Sequence, residues 1–269
     1  MLQTLQLYRR LIGVQIRSQM QYRLSFFVEI AGTGLIALLE YASLALVFAR
    51  FETLKGWTLG QVAFIFGLAE LSFGVMDLFF SGFDPGYFGQ FVRRGRFDQL
   101  LLRPINITLQ VLGSKFMLRR IGKIAVGVGI VVSAVGMNPI DWTPLKVLLT
   151  GTVVVSQVAF FGGLFIIGAT ISFWTVESIE AINIFTYGGS MMISHPMHIF
   201  PTILRNFFTF IVPAIFLNYY PALYILELPD PFNMPAFAPF LAPLAGLWML
   251  FMALVIWRFG IRHYQSTGT

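Results

Sequence analysis

The chain has no cysteine and only three histidines, and charged side chains make up just 11% of its 269 residues. The first absence excludes a disulfide framework and any thiolate metal or redox site. The scarcity of charge excludes a soluble domain. Hydrophobic residues reach 57% and mean hydropathy is +0.77, against roughly 45–50% apolar in soluble proteins, so the charged groups cannot cover such a core. The first 23 residues are interrupted by Arg9, Arg10, Arg17 and Arg23. They therefore lack the apolar run of a cleaved leader, and the first long hydrophobic stretch is expected to be a retained anchor. A phosphate-binding G-x-x-x-x-G-K-[ST] loop is also missing: Gly113-Ser114-Lys115-Phe116 and Gly122-Lys123-Ile124 lack the upstream glycines and the magnesium-holding hydroxyl. If ATP drives this protein, another polypeptide is expected to bind it. Ser190 has no G-x-S-x-G around it, so no hydrolase nucleophile is identified.

What is present is long apolar runs. About 20 residues of helix cross a bilayer core, and six windows qualify, near 24–48, 61–83, 117–137, 145–174, 200–222 and 238–258. The expected fold is all-α, a single transmembrane domain of six helices over residues 1–269. The fourth window, at 30 residues, is long enough to be tilted or broken near Gly162-Gly163. Six crossings put both termini on one side. That side takes fifteen of the eighteen Lys and Arg residues, leaving Arg50, Lys55 and Lys146 on the other, so both termini are expected in the cytoplasm. The same asymmetry accounts for the net charge of +6 without a nucleic-acid partner.

Two segments outside the windows have character of their own. In residues 1–23, Leu2, Leu5, Tyr8, Leu11, Ile12 and Ile16 recur at helical spacing against Gln and Arg, as in an amphipathic helix lying in the inner interface. A basic anchor that only fixes topology carries the same pattern. Residues 221–243 hold six of the thirteen prolines, which excludes a long regular helix and points to an outer re-entrant hairpin or a plain loop.

Glu29, Glu40, Glu70 and Asp77 fall within predicted spans, where an ionisable group is costly and is a functional candidate. Glu40 and Glu70 lie deepest. They either line a cavity that attracts a cationic amphiphile among the Phe side chains or are paired structurally; Asp77 and Glu29 sit nearer the edges. His195 and His198 flank Pro196, and with no third ligand nearby they are expected to form a cytoplasmic turn rather than a metal site. No metal is expected.

The densest charge lies in FVRRGRFDQLLLRP, residues 91–104, between the second and third windows. Phe97, Leu100 and Leu101 share a face at helical spacing, Asp98 sits in the first turn, and Pro104 ends the helix. Arg93, Arg94 and Arg96 precede it, where the helix dipole repels them. They suit either anionic lipid headgroups or a docked partner. This run, continued by Gln110, Val111, Leu112, Gly113, Ser114 and by Leu118, Arg119, Arg120, Ile121, Gly122, resembles the permease subunits of type 2 ATP-binding-cassette exporters, in particular their small six-span branch. Tyr187-Gly188-Gly189, Pro196, Ile199-Phe200-Pro201, Leu204-Arg205 and Asn218-Tyr219-Tyr220-Pro221-Ala222 are similar to the same branch. The resemblance implies a coupling helix at Arg93, Arg94, Gly95, Arg96, Phe97, Asp98, Leu100, Leu101, Arg103 and Pro104 that contacts a separate P-loop ATPase, which carries the ATP and Mg2+. It also implies a second permease copy or paralogue, a bacterial-type inner membrane, and export along a pathway that could include Glu40, Glu70 and Asp77. The rival from another class is an ATP-independent secondary transporter or channel coupled through Glu40 and Glu70, although no internal repeat is visible.

Overall fold

The computed structural model describes residues 2–175 and 182–266, and the described residues form helices and turns with a lone bridge between Leu54 and Trp57. Helix α1 (Leu2–Met20) precedes the apolar helix α2 (Arg23–Arg50). A short turn leads into α3 (Leu59–Phe80), which starts on a capping box: Thr58 Oγ1 accepts from Gln61 N while the Gln61 side chain accepts from Thr58 N. Three short helices follow, α4 (Pro85–Arg93), α5 (Arg96–Leu101) and α6 (Ile107–Leu112), and then the long α7 (Ile121–Met137) and α8 (Pro144–Ile171). The C-terminal part holds α9 (Ile184–Ile193), a bent pair α10 (Thr202–Phe210) and α11 (Ile215–Ile225), and α12 (Ala242–His263).

Five helices are long and apolar enough to cross a membrane, six if the bent pair counts as one. They are not equivalent. The α3 crossing is 78% buried in its most apolar stretch and the α2 crossing 11%, so α3 is the hub and α2 lies on the rim with one face open. Helix α3 packs on α7 and α8, and α8 packs along α12. Small residues permit the close approaches. A Cβ at Gly122 of α7 would collide with Ile30 O of α2, whereas one at Gly136 would meet nothing within 4 Å.

The window at 200–222 needs correcting: it is not a straight helix, because α10 and α11 are bent by 100°. Pro213 supplies the break, since it lacks an N–H and disfavours helical backbone at Val212, which is extended at φ −115° and ψ 95°. The sharp bend thus falls ahead of the proline-rich 221–243 stretch, whose Pro221 is accommodated inside α11. Beyond α11 the chain is irregular, held by the Asp230 carboxylate, which accepts from Phe232 N at 2.9 Å and Met234 N at 2.6 Å, and by an ion pair of 2.5 Å between Lys146 and Glu227.

Residues 182–198 run along α3 instead. A Cβ at Gly168 would touch both Pro85 and Ile182, and Tyr187 packs on Phe73 and Phe165. Asn218 Nδ2 donates to Ile65 O and Ile193 O, both at 2.9 Å, and His198 packs on Trp57. Lys55 Nζ donates to His198 O at 3.3 Å, and Arg205 lies over the Phe232 ring at 4.6 Å. The 195–205 segment therefore shares an end of the molecule with Lys55, not with the arginine-rich linker as its charge suggested. The basic end now holds fourteen of the eighteen Lys and Arg residues.

Replacing Gly122 by Ala should cost about 1–3 kcal/mol through overpacking at the α2–α7 crossing. Gly136→Ala should be neutral or stabilising by up to about 1 kcal/mol. Denaturation of the two purified variants in detergent checks the contrast, and equal behaviour would contradict the close crossing.

Candidate functional site

Two features stand out, a cavity at mid-bundle and the arginine-rich segment at one end. The cavity, of about 520 Å³, lies between α2, α3 and α9. Its apolar wall is Leu44, Val47, Phe66, Phe73 and Met191, and its polar groups include Glu40, Glu70, Lys123, Tyr187, Ser190 and His195. Glu70 is 7% exposed and pairs with Lys123, whose Nζ lies 3.1 Å from Oε2 and 5.3 Å from the centre of the Phe73 ring. Glu40, on the rim helix, is exposed and has no ion-pair partner among the described residues. The cavity thus presents two carboxylates against one ammonium, with aromatic and thioether surface around them, a setting that attracts a cation with an apolar body.

The structure brings Glu40 and Glu70 together and leaves Asp77 out. Asp77 is 2% exposed, pairs with Arg120 at 2.6 Å, and accepts from Ser81 Oγ at 3.2 Å. It serves the α3–α7 contact, where burying a carboxylate without a cation would be strongly unfavourable. Glu29 is exposed on α2, away from the cavity lining. The two histidines separate. His195 reaches the cavity with Nδ1 2.9 Å from Ser194 Oγ, while His198 sits 3.1 Å from Tyr219 OH, its pKa lowered by burial.

At the basic end, Asp84 starts α4 as its cap: Oδ1 accepts from Tyr87 N at 2.8 Å, and Pro85 follows at the first helical position. Its other oxygen accepts from Tyr187 OH at 3.0 Å, so one carboxylate joins the floor of the cavity to the arginine-rich segment. Gly95, at φ +64°, makes the left-handed turn between α4 and α5, a conformation costly for residues with a Cβ. Asp98 lies in the first turn of α5 and accepts from Ser266 Oγ at 2.8 Å.

The face expected to dock outward points inward. Phe97 and Leu100 are buried, and the exposed apolar pair is Leu101 and Leu102, the latter 85% exposed, flanked by exposed Arg93, Arg94, Arg96, Arg103 and Pro104. Phe97 is enclosed by Tyr264 at 4.9 Å, Phe173 at 5.0 Å, Phe88 at 5.7 Å and Trp257 at 6.2 Å between ring centres. Trp257 Nε1 donates to Thr108 Oγ1 at 3.0 Å. The segment is thereby fixed to the ends of α8 and α12.

Sequence reasoning passed over Lys123, Tyr187, the residues after Ser190 and this aromatic cage. One signal was available: Arg120 and Lys123 enter α7 three residues apart, facing Asp77 and Glu70 seven apart on an antiparallel neighbour. The cage has no such signal, because its rings come from distant segments.

A helical bundle with several apolar crossings, buried ion pairs between helices and an internal cavity of mixed polar and apolar lining defines a multi-pass membrane protein. The family model described as ABC-2 family transporter protein matches residues 35–268, and the chain belongs to that family. Its members are in general non-catalytic membrane subunits served by an ATPase partner. No curated protein and no solved structure matches the chain.

Lys123→Met alone should destabilise the purified protein by up to about 3 kcal/mol, because it leaves the Glu70 carboxylate buried without its cation. Adding Glu70→Gln should recover much of that loss. A thermal denaturation series on the single and double variants measures the coupling; strictly additive effects would mean that the pair contributes nothing.

Proposed function

We propose that the chain is the permease subunit of an exporter that carries a hydrophobic or amphiphilic, cationic substrate across a bacterial-type cytoplasmic membrane. A separate P-loop ATPase, binding ATP and Mg2+, supplies the energy, and a second permease copy or paralogue completes the pathway. Both termini and α4–α6 face the cytoplasm, in keeping with the excess of Lys and Arg at that end. Helix α1 lies in the inner interface, with Tyr8, Leu11, Ile12 and Ile16 half-buried and Arg9, Arg10 and Arg17 exposed.

One observation carries the reading: the arginine-rich segment, exposed toward one end, is tied at its root to the floor of the acidic cavity by the Asp84–Tyr187 hydrogen bond. The ATPase docks on residues 91–104, with Arg93 and Arg94 as ionic contacts and Leu101 and Leu102 as the apolar anchor. When it closes on ATP, the displacement passes by two routes. Asp84 pulls on Tyr187, and with it α9, while the cage around Phe97 moves the ends of α8 and α12. The stretch of α2 around Glu40, which lies beyond the tight α2–α7 crossing and carries no ion pair, yields, and the cavity opens to the outside. Glu40 and Glu70 neutralise the cation in the low-dielectric interior, where its desolvation is the main barrier. The convergence of Glu40 and Glu70 in one cavity also suits the secondary-transporter reading, in which a proton exchanges for the substrate at these acids.

The test is a mild-detergent purification of the tagged chain from native membranes, followed by uptake measurements in inverted vesicles. A P-loop ATPase should co-purify with the wild type and be lost with Arg93→Glu and Arg94→Glu together. Uptake of a lipophilic cation should require ATP and fall at least about tenfold in Glu40→Gln, the scale of losing one interaction of about 1.4 kcal/mol. Uptake that follows a proton gradient without ATP, with no ATPase co-purifying from folded protein, would establish the rival.

A further inference from the structure

A second cavity, of about 260 Å³, lies at the basic end beneath α1. Its existence follows from how α1 is fastened. Gln15 and Gln19 fall one helical turn apart on the same face; Gln15 Nε2 donates to Ser114 O at 3.0 Å, and Gln19 donates to Phe116 O and accepts from Leu118 N at 3.1 Å. These bonds hold α1 over the linker as a roof. Arg96, Gln99 and Arg103 from the arginine-rich segment line the space, with Leu11 and Gln15 above and Gln110 behind.

The chemistry of that lining is one-sided. It contains two guanidinium groups and no carboxylate. Arg93 and Arg94 do not line it, so the arginine cluster divides into two pairs with different surroundings. Guanidinium forks match phosphate oxygens better than any other common anion. Gln110 closes the back of the space: it is 5% exposed, and its Nε2 donates to Leu100 O at 3.2 Å and Ile105 O at 3.0 Å, which holds the arginine-rich segment against α6. The ligand is therefore an anion with phosphate oxygens to offer the two guanidinium groups. The space is far larger than the roughly 30 Å³ of one water, and it opens beside Leu11, Phe91 and Ile105, an apolar border.

We propose that this cavity binds the phosphodiester of an anionic phospholipid of the inner leaflet. The phosphate lies between Arg96 and Arg103. The lipid bridges α1 and the arginine-rich segment, so the position of that segment depends on the lipid present. Arg93 and Arg94 remain free for a protein partner. The proposal does not rest on transport or on an ATPase.

Native mass spectrometry of the purified full chain, titrated with phosphatidylglycerol, phosphatidylethanolamine and phosphatidylcholine, tests it. Phosphatidylglycerol should bind best, and phosphatidylethanolamine and phosphatidylcholine, which have no net charge, markedly less well. Arg96→Gln with Arg103→Gln should weaken phosphatidylglycerol about thirtyfold, from roughly 1 kcal/mol for each of two charges. Arg93→Gln with Arg94→Gln should leave it within about twofold, the range of a distant surface change. Gln99→Glu, which keeps both arginines and sets a carboxylate at the rim, should weaken it as well, so the test survives if the arginine pair is needed for folding. Competition by millimolar glycerol 3-phosphate, a soluble phosphomonoester, would keep the phosphate recognition and overturn the assignment to a bilayer lipid. Equal affinity for phosphatidylglycerol and phosphatidylcholine, or equal losses in the two arginine pairs, would overturn the proposal.

Discussion

The ring of Phe97 is the point on which the arrangement turns. Helix α5 has six residues, Arg96–Leu101, and a helix so short has no stability of its own. It holds its place because Phe97 is wholly buried among Phe88, Phe173, Trp257 and Tyr264. Each such aromatic contact adds about 0.5–1.5 kcal/mol beyond simple burial. The arginines are therefore not on a loose loop but on a rigid spur, bolted to the ends of two long helices. A force applied to the spur is a force on α8 and α12.

Charge inside the bundle is managed in a way that restricts which helices can move. Helix α3 carries Glu70 and Asp77, which are answered by Lys123 in α7 and by Arg120 at its N-cap. Sliding one helix against the other would part both pairs in a low-dielectric setting, where unpaired charge is most costly. The two helices accordingly behave as one body. Helix α2 is different beyond its tight crossing with α7 at Ile30 and Gly34: Gly34, Ala37 and Leu44 are its only buried positions among the described residues, and Glu40, at the cavity, has no ion-pair partner among them. A cavity bounded on one side by the fixed α3 and on the other by this unpaired stretch of α2 can change shape without breaking an ion pair.

Much of the fold was legible from hydropathy because α2, α3, α7, α8 and α12 are long runs with polar residues near their ends. The fifth window misled for a physical reason. Hydropathy averages over 200–222 and does not register the kink at Pro213, while the shorter apolar run before Pro196 falls below the length of a crossing. Charge placement followed that error and set Arg205 at the wrong end. In the candidate site, the acids were visible as rare intramembrane charges, and two of them do meet at one cavity. The orientation of 97–102 was not visible. Two turns of amphipathic helix do not say which apolar residues face the chain, and that depended on Trp257 and Tyr264, some 160 residues further on. Local periodicity carries no information about such a partner.

The most direct test of the account is a crosslink. The chain has no cysteine, so a single Leu102→Cys provides a unique attachment point on the exposed tip of the spur. In native membranes, a short thiol-to-amine reagent at that position should capture a P-loop ATPase subunit, and a cysteine at Phe237, exposed at the other end of the molecule, should not. Capture from Phe237 alone, or from neither position while the protein remains folded and transporting, would contradict the account.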